Sequence, residues 1–339
     1  MQPSASKPAK VGVLFANLGT PSGTDYWSMR RFLGEFLSDQ RVVDLPRWKW
    51  QPILQLMVLT RRPFTSGHAY RAVWNTEADE SPMLTISKRQ LAALRAAAAE
   101  RFGDDVLVDL CMRYGEPSTS GAVRRLVDAG CTRLLFVPLY PQYAGATWAT
   151  ANDALFRALQ DLRRQPAVRV APEYYERPGY IAALAASVER AYAEMERRPD
   201  VLVASYHGLP RRHIEEGDPY LEHCLGTSRL LAERLGWGDG EIHTTFQSVF
   251  GREEWLKPYT IEHVAELAAE GKRIAVISPA FAADCVETLD EIDKLIRHAY
   301  EDAGGPEFHY VACLNDDAAH IEALIDVVAE NLSGWVAPG

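Results

Sequence analysis

The chain has 339 residues, enough for two ordinary domains, and its hydrophobic and charged fractions of 47% and 24% are typical of a globular protein. A formal net charge of −10, without a long block of lysine and arginine, argues against a general role in nucleic-acid binding. The first ten residues are polar and no apolar run approaches the length of about 18 residues that suggests a membrane span, so neither a signal peptide nor a transmembrane helix is expected.

Five cysteines occur without any CxxC pair. An odd number of scattered cysteines without a disulfide framework favours reduced thiols, and hence a cytoplasmic location.

Short apolar runs with the length of buried strands alternate with helical segments rich in Ala, Leu, Glu and Arg, the pattern of a parallel α/β sheet. The strand-like runs are residues 11–16, 106–111, 133–137, 168–171, 201–205, 242–246, 273–278 and 308–312. The main helical segments are 88–101, 151–164, 180–198, 228–235, 261–270 and 318–330.

The two halves of the chain repeat this order. The last three runs of each half begin at 106, 133 and 168 and at 242, 273 and 308. The spacing predicts two similar lobes, residues 1–175 and 176–339, each with a four-stranded parallel sheet flanked by helices. Pro172, Pro178 and Gly179 punctuate the proposed boundary. We expect the last helix to pack on one of the two lobes, with a return to the first as one possibility.

The first strand is followed by a tight, proline-stopped turn rather than by GxGxxG, and neither GxxxxGK[ST] nor GxSxG occurs. Dinucleotide, nucleotide-triphosphate and nucleophilic-serine chemistry are therefore disfavoured.

An insertion of about residues 26–82 follows the first strand, and insertions of this length usually serve function. Within it, residues 45–63, called the lip below, combine two tryptophans with an apolar run and several cations. The lip is interpreted either as an amphipathic helix packed on its own lobe or as an apolar edge over a cleft for a large flat ligand.

His207 stands where the fifth run ends in Ser-Tyr-His before Gly208 and Pro210. Ligands of open α/β sheets bind at the carboxyl ends of the strands, so this imidazole is a candidate ligand or proton acceptor. The alternative is a hydrogen-bonded loop residue without chemistry.

A group of acids follows the seventh run. If the segment from Asp284 is α-helical, Asp284, Glu287 and Glu291 fall within a wedge of about 60° and line one open face. The competing interpretation is a helix cap, since acids in a first turn suit the helix dipole. No HExxH motif occurs, so a closed zinc site is not expected. His207 with one carboxylate would make a weak, open site, which suits a metal that must leave again.

These residues resemble the ferrochelatase family over nearly the whole chain. The motifs in order are NLGTP (17–21), FLSDQRVVD (36–44), YPQY (140–143), SYHGLP (205–210), GDPY (217–220), FQS (246–248) and FAADCVETLDE (281–291). The resemblance implies two Rossmann-like lobes around a porphyrin cleft. It also implies a lyase that inserts ferrous iron into protoporphyrin IX, the last step of haem synthesis.

The resemblance also implies roles for individual residues. His207 and Glu287 correspond to the paired metal-site residues, and Asp284 and Glu291 to acids on a route for metal or protons. The porphyrin-contacting positions are Arg113, Tyr114, Tyr70, Phe281, Phe246 and Leu18. Phe246 stands where some relatives carry tryptophan. Leu18 replaces a tyrosine of coproporphyrin enzymes and so favours protoporphyrin.

Fe²⁺ is expected as a substrate, without a tightly bound cofactor. Some members of the resembled family hold an iron–sulfur cluster through cysteines of a C-terminal extension and one internal ligand. No cluster is predicted for this chain, because no cysteine follows Cys313 and Gly145 matches the internal ligand position. Contact with a membrane surface at the inner face, and with the preceding enzyme of the porphyrin pathway, are further expectations. The alternatives are a chelatase for coproporphyrin or another tetrapyrrole and a carrier of tetrapyrrole or metal without catalysis, which turnover would distinguish.

Overall fold

The computed structural model describes residues 10–238, 240–251 and 253–336, and in these residues the strands form two parallel four-stranded sheets. The expectation for the first ten residues lies outside this range except at Lys10. The first sheet has the order β2-β1-β3-β4, with β1 (Lys10–Gly19), β2 (Val106–Tyr114), β3 (Cys131–Pro138) and β4 (Ala167–Val170). The second has the order β6-β5-β7-β8, with β5 (Val201–His207), β6 (Ile242–Gln247), β7 (Ile274–Ile277) and β8 (Phe308–Val311). Each predicted run is a strand, and the same order in both sheets confirms two similar lobes.

Helices cover both sheets. They are α1 (Tyr26–Leu37), α2 (Arg47–Ile53), α3 (Leu59–Val73), α4 (Pro82–Phe102), α5 (Thr119–Asp128), α6 (Thr150–Gln160), α7 (Pro178–Tyr192), α8 (Arg211–Glu215), α9 (Tyr220–Leu235), α10 (Thr260–Ala269), α11 (Arg297–Asp302) and α12 (Ala318–Asn331). Wider π-helical turns occupy Leu54–Val58, Gly145–Ala149 and Glu287–Ile296. Helix α6 ends four residues before the predicted 164, where the Gln165 amide donates to the Leu159 carbonyl and Pro166 follows.

The two lobes share one hydrophobic core. Along β1, Val11, Val13 and Phe15 face this core, whereas Leu14 and Ala16 face a second core beneath α5 and α6. The alternation follows from the two-residue period of a strand, and it leaves β1 buried on both sides. Helix α12 contacts α7 and also α4 and β3, so the last helix packs on elements of both lobes.

The insertion forms a helical layer with a small core of its own. Side chains of α1 and α3, among them Met29, Phe32 and Leu59, pack together, and the Trp50 indole donates to the Leu37 carbonyl at 2.6 Å. The outer side of the lip stays in solvent, with Trp48, Leu56 and Met57 exposed by 75%, 74% and 65%. The inner side of the lip packs on its own lobe, as the first interpretation predicts, and the second stays a prediction. Within the described residues, no helix combines the length and apolar character needed to cross a membrane.

Candidate functional site

A cleft of about 760 Å³ opens between the insertion and the carboxyl ends of the second sheet. One wall comes from the insertion and the end of β1, and the other from the ends of β5 and β6 and from the helix that begins at Glu287. Most lining side chains are apolar, for example Leu18, Phe36, Phe246 and Phe281. A few polar groups converge at the floor, a composition typical of a small-molecule site.

His207 is the last residue of β5 and lies opposite Gln247 of β6. A glycine must follow, because a Cβ at Gly208 would lie 2.8 Å from the Gln247 carbonyl oxygen and 3.1 Å from the Trp255 ring. The Nδ1 atom of His207 lies 2.7 Å from the Gly208 carbonyl oxygen. Since a carbonyl only accepts, we assign the proton to Nδ1, which leaves the Nε2 lone pair of this cleft-lining imidazole free for a proton or a metal.

Glu291 is a buried carboxylate close enough to His207 to interact with it electrostatically. Burial raises the pKa of Glu291, while hydrogen bonds from Ser248 and the nearby His207 oppose this rise and Glu287 adds to it. The Ser248 backbone N–H donates to the carboxylate at 2.7 Å, and its hydroxyl donates to the other oxygen. The site therefore holds a basic nitrogen and two acids within electrostatic reach.

A π-helical turn determines where these acids lie. Glu287, Asp290 and Glu291 all line the cleft from the segment Glu287–Ile296. In a π-helix each hydrogen bond spans five residues rather than four, so side chains four apart stay closer to one line than in an α-helix. The Gln247 amide donates to the Glu287 carbonyl at 2.8 Å, which ties the start of this segment to the end of β6.

Asp284 does not share the open face predicted for it. It precedes the helix, is buried, and does not line the cleft. Its carboxylate accepts from the Thr288 hydroxyl at 3.1 Å, the Cys313 backbone N–H at 3.2 Å, the Asn315 amide at 2.7 Å and the Tyr310 hydroxyl. The predicted wedge was wrong for this residue because it assumed one continuous α-helix. The role of Asp284 on a metal or proton route stays a prediction.

Arg113 and Tyr114 lie behind the cleft wall rather than on it. The Arg113 guanidinium pairs with Asp39 and donates to the Thr150 hydroxyl, and the Tyr114 hydroxyl donates to Asp39 at 3.0 Å. Burial opposes ionisation of Asp39, but its hydrogen bonds and Arg113 lower the pKa of this carboxyl overall. The ring of Phe36 packs edge-on against Tyr114 at 5.0 Å and lines the cleft in its place.

Of the remaining predicted porphyrin contacts, Leu18, Phe246 and Phe281 line the cleft. Tyr70 does not, although its neighbour Ala69 does. Burial, and then the nearby Glu287, raise the pKa of the Tyr70 hydroxyl.

Many lining residues are not singled out by the sequence, among them Arg62, Phe250 and Trp255. Arg62 of the lip lies over the Phe250 ring, with 5.4 Å between the guanidinium carbon and the ring centroid. The cationic composition of the lip is the sequence signal for Arg62. Asp39 lies within the motif at 36–44, but its partners are distant in sequence.

In the part of the chain that the structure describes, no three or more His, Cys, Asp or Glu side chains are arranged to hold a metal.

Comparisons with known proteins agree with this geometry. The family model described as Ferrochelatase matches residues 10–332. A ferrochelatase of Rhodobacter capsulatus is 64% identical over 96% of this chain and 94% of its own length. One of Mesorhizobium japonicum is 51% identical over 96% of this chain and 92% of its own length. A sirohydrochlorin chelatase, SirB of Bacillus subtilis subspecies spizizenii, solved in complex with cobalt, shares the fold at a TM-score of 0.54 and 11% identity, covering 97% of this chain and all of that one. The chain belongs to the ferrochelatase family.

Proposed function

We propose that this chain is a lyase that inserts ferrous iron into protoporphyrin IX, with His207 as the acceptor of pyrrole protons. Family membership supports iron insertion into a porphyrin for haem synthesis. The observation that carries the role of His207 is its Nδ1 contact with the Gly208 carbonyl, which in the neutral imidazole places the lone pair on Nε2, in a cleft shared with Glu287 and Glu291.

The chemistry requires two pyrrole protons to leave as one Fe²⁺ enters, so that charge and atoms balance. A neutral imidazole can accept the first proton on its free ring nitrogen. Glu291 is suited to exchange protons with His207, because burial raises the pKa of its carboxyl and brings it closer to that of an imidazole. Ferrous iron accepts mixed nitrogen and oxygen ligands, so His207 and Glu287 can hold it briefly as it sheds water.

The rest of the cleft suits a flat apolar macrocycle. Its volume of about 760 Å³ and its aromatic lining agree with a ligand of that size. Apolar walls that bend the ring would expose its nitrogen lone pairs, at a strain of about 1–5 kcal/mol offset by binding of the periphery.

The charge of the lining favours protoporphyrin over coproporphyrin. Among the described residues that line the cleft, Arg62 is the one arginine and no lysine contributes. Coproporphyrin carries four carboxylates and protoporphyrin two, so a pocket poor in cations is better matched to the latter. Leu18 on the lining, in place of a tyrosine, supports the same choice.

The test is anaerobic mixing with protoporphyrin IX and Fe²⁺, or Zn²⁺ as a surrogate, followed by porphyrin absorbance. We expect repeated turnover by the parent chain and a loss of about 10²–10⁴-fold in His207→Ala. His298→Ala, at an exposed position of α11, is the matched control and should keep parental activity. Near-normal activity of His207→Ala would refute its role. If the parent chain binds porphyrin or metal without turnover, the only remaining function is that of a carrier without catalysis.

We further propose that the lip contacts a membrane surface from the cytoplasmic side. Exposed Trp48, Leu56 and Met57 lie beside the cations Arg47 and Lys49, a combination that suits an interfacial position on anionic lipid. Leu56→Glu should weaken co-sedimentation with anionic vesicles. Leu225→Glu, at an equally apolar exposed site on α9, should not. If both variants sediment with the vesicles to the same extent as the parent chain, the lip is excluded as the membrane-contacting surface.

Lobe limits of 1–175 and 176–339 remain part of the proposal, as do the absence of an iron–sulfur cluster and contact with the preceding pathway enzyme. The five cysteines are all buried, at positions 111, 131, 224, 285 and 313. Iron analysis of the purified chain would test the cluster prediction, since retained iron and inorganic sulfide would contradict it.

A further inference from the structure

Two sequence motifs that the proposed chemistry does not use, YPQY (140–143) and GDPY (217–220), meet where the two lobes touch. Three hydrogen bonds cross between the lobes there, each with its donor in residues 142–145. They are the bonds from the Gln142 amide to the Thr227 hydroxyl at 2.9 Å, from the Tyr143 backbone N–H to Nδ1 of His223 at 3.2 Å, and from the Gly145 backbone N–H to the Asp218 carboxylate at 2.6 Å. This row of bonds holds the segment after β3 against α9 and the turn before it.

Asp218 is distinctive among these partners because both of its carboxylate oxygens are used. Oδ2 accepts from the Gly145 N–H, and Oδ1 accepts from the Tyr220 backbone N–H at 3.0 Å. Tyr220 lines the cleft, and so do Ala144 and Ala146 on either side of Gly145. One carboxylate therefore bridges a lining segment of the first lobe and a lining residue of the second.

The contacts around this bridge are close. A Cβ added at Gly145 would lie 3.3 Å from Oδ2 of Asp218, so the peptide and the carboxylate are tightly apposed. On the other side, α9 is tied to β5, because the Ser228 and Tyr206 hydroxyls lie 3.0 Å apart and both are buried. Tyr206 immediately precedes His207. The first-lobe segment is thus held at a defined distance from the strand that carries His207.

We propose that Asp218 is a positioning residue, which holds residues 144–147 at the spacing from Tyr220 that a porphyrin requires. The inference rests on the proposed function, because that function makes a porphyrin the ligand of the cleft. Asp218 does not line the cleft itself and acts through the two backbone N–H groups that it accepts from. Hydrogen bonds to an ionised carboxylate are stronger than those between neutral groups, which suits this bridging role.

An asparagine at position 218 can satisfy only one of the two donors. Its oxygen accepts from the N–H of either Gly145 or Tyr220, and its NH₂ group then faces the other. In the free variant the lining segment occupies its binding position in a smaller fraction of molecules, so the Kd for porphyrin rises in proportion. We expect a rise of about tenfold, the order of magnitude for one lost hydrogen bond to a charged group.

The test is fluorescence titration of the metal-free full chain with protoporphyrin IX, which requires no turnover. Asp218→Asn should raise the Kd about tenfold, and in Zn²⁺ metallation it should raise the KM for porphyrin but not the KM for Zn²⁺. Asp316→Asn is the matched control, because Asp316 joins the lobes through Arg89 at 2.9 Å but does not line the cleft. It should keep the parental Kd.

Equal Kd values for the parent, Asp218→Asn and Asp316→Asn would overturn the proposal. An equal rise in both variants would overturn it too, since the effect would then be a general loosening of the lobes. If Asp218→Asn does not fold, Gly145→Ala decides, because its methyl group presses on the same carboxylate and should raise the Kd about threefold. An unchanged Kd would again refute the positioning role. Failure of the parent to bind protoporphyrin would instead refute the proposed function, and this inference with it.

Discussion

Replacing Asp284 by asparagine should lower the free energy of unfolding while leaving metallation largely intact. The carboxylate is buried and accepts hydrogen bonds from Thr288, Tyr310, Cys313 and Asn315. These contacts indicate that Asp284 stabilises the fold rather than contacting the substrate. The opposite outcome is expected if Asp284 belongs to a route for protons or metal.

The magnitude follows from the donors around the carboxylate. An asparagine side chain places its NH₂ against either the Asn315 amide or the Cys313 N–H, so one buried donor loses its acceptor in both orientations. Asn315 cannot turn over without cost, because its own oxygen accepts from the Asp284 N–H at 2.8 Å. An unsatisfied buried donor costs about 1–3 kcal/mol, and loss of the charged acceptor adds to this. We expect a total of about 2–4 kcal/mol.

The assay is urea unfolding followed by tryptophan fluorescence, with metallation rates measured well below the transition. Asp290→Asn is the control, because Asp290 pairs at 3.4 Å with half-exposed Lys294 and should cost less than about 1 kcal/mol. The exchanged pair Asp284→Asn with Asn315→Asp should recover part of the loss. An unchanged urea midpoint together with a rate more than about tenfold lower would refute the reasoning.

Three further outcomes are expected at the site. Glu287→Gln should lower metallation by about 10²-fold or more with an unchanged urea midpoint, since it removes charge but not volume; a rate near the parent's would exclude a metal-site role. Gly208→Ala should displace His207, because the new Cβ would lie 2.8 Å from the Gln247 carbonyl oxygen, and kcat should fall by up to about 10²-fold. A kcat of Gly208→Ala equal to that of the parent would show that the end of β5 accommodates the added methyl group without displacing His207. Ser248→Ala removes a hydrogen bond that lowers the pKa of Glu291, so that pKa should rise and the acid limb of the profile of kcat/KM against pH should move to higher pH. An unmoved limb would show that ionisation of Glu291 does not control the rate.

The strands and the position of His207 are predictable from the sequence because their signals are local. Parallel strands buried on both sides require short continuous apolar runs, and each predicted run is a strand. A polar residue at the end of such a run must lie at the carboxyl edge of the sheet, where ligands bind. The apolar run that ends at His207 is therefore sufficient to predict its place beside the cleft.

The arrangement of the acids depends on tertiary structure. An assumed 100° per residue cannot distinguish hydrogen bonds that span four residues from those that span five, so the pattern does not predict the π-helical turn at Glu287. Nor does local pattern show which distant groups reach a carboxylate. Asp284 is satisfied by Tyr310 and Asn315, 26 and 31 residues further on.

The position of Arg113 could not be predicted from local sequence either, because its guanidinium pairs with Asp39, which is 74 residues away in sequence. The sequence by itself determined two repeated parallel sheets and a histidine at the edge of the second. Only the tertiary structure decided which side chains face the cleft, because facing depends on partners that folding brings together from distant parts of the chain.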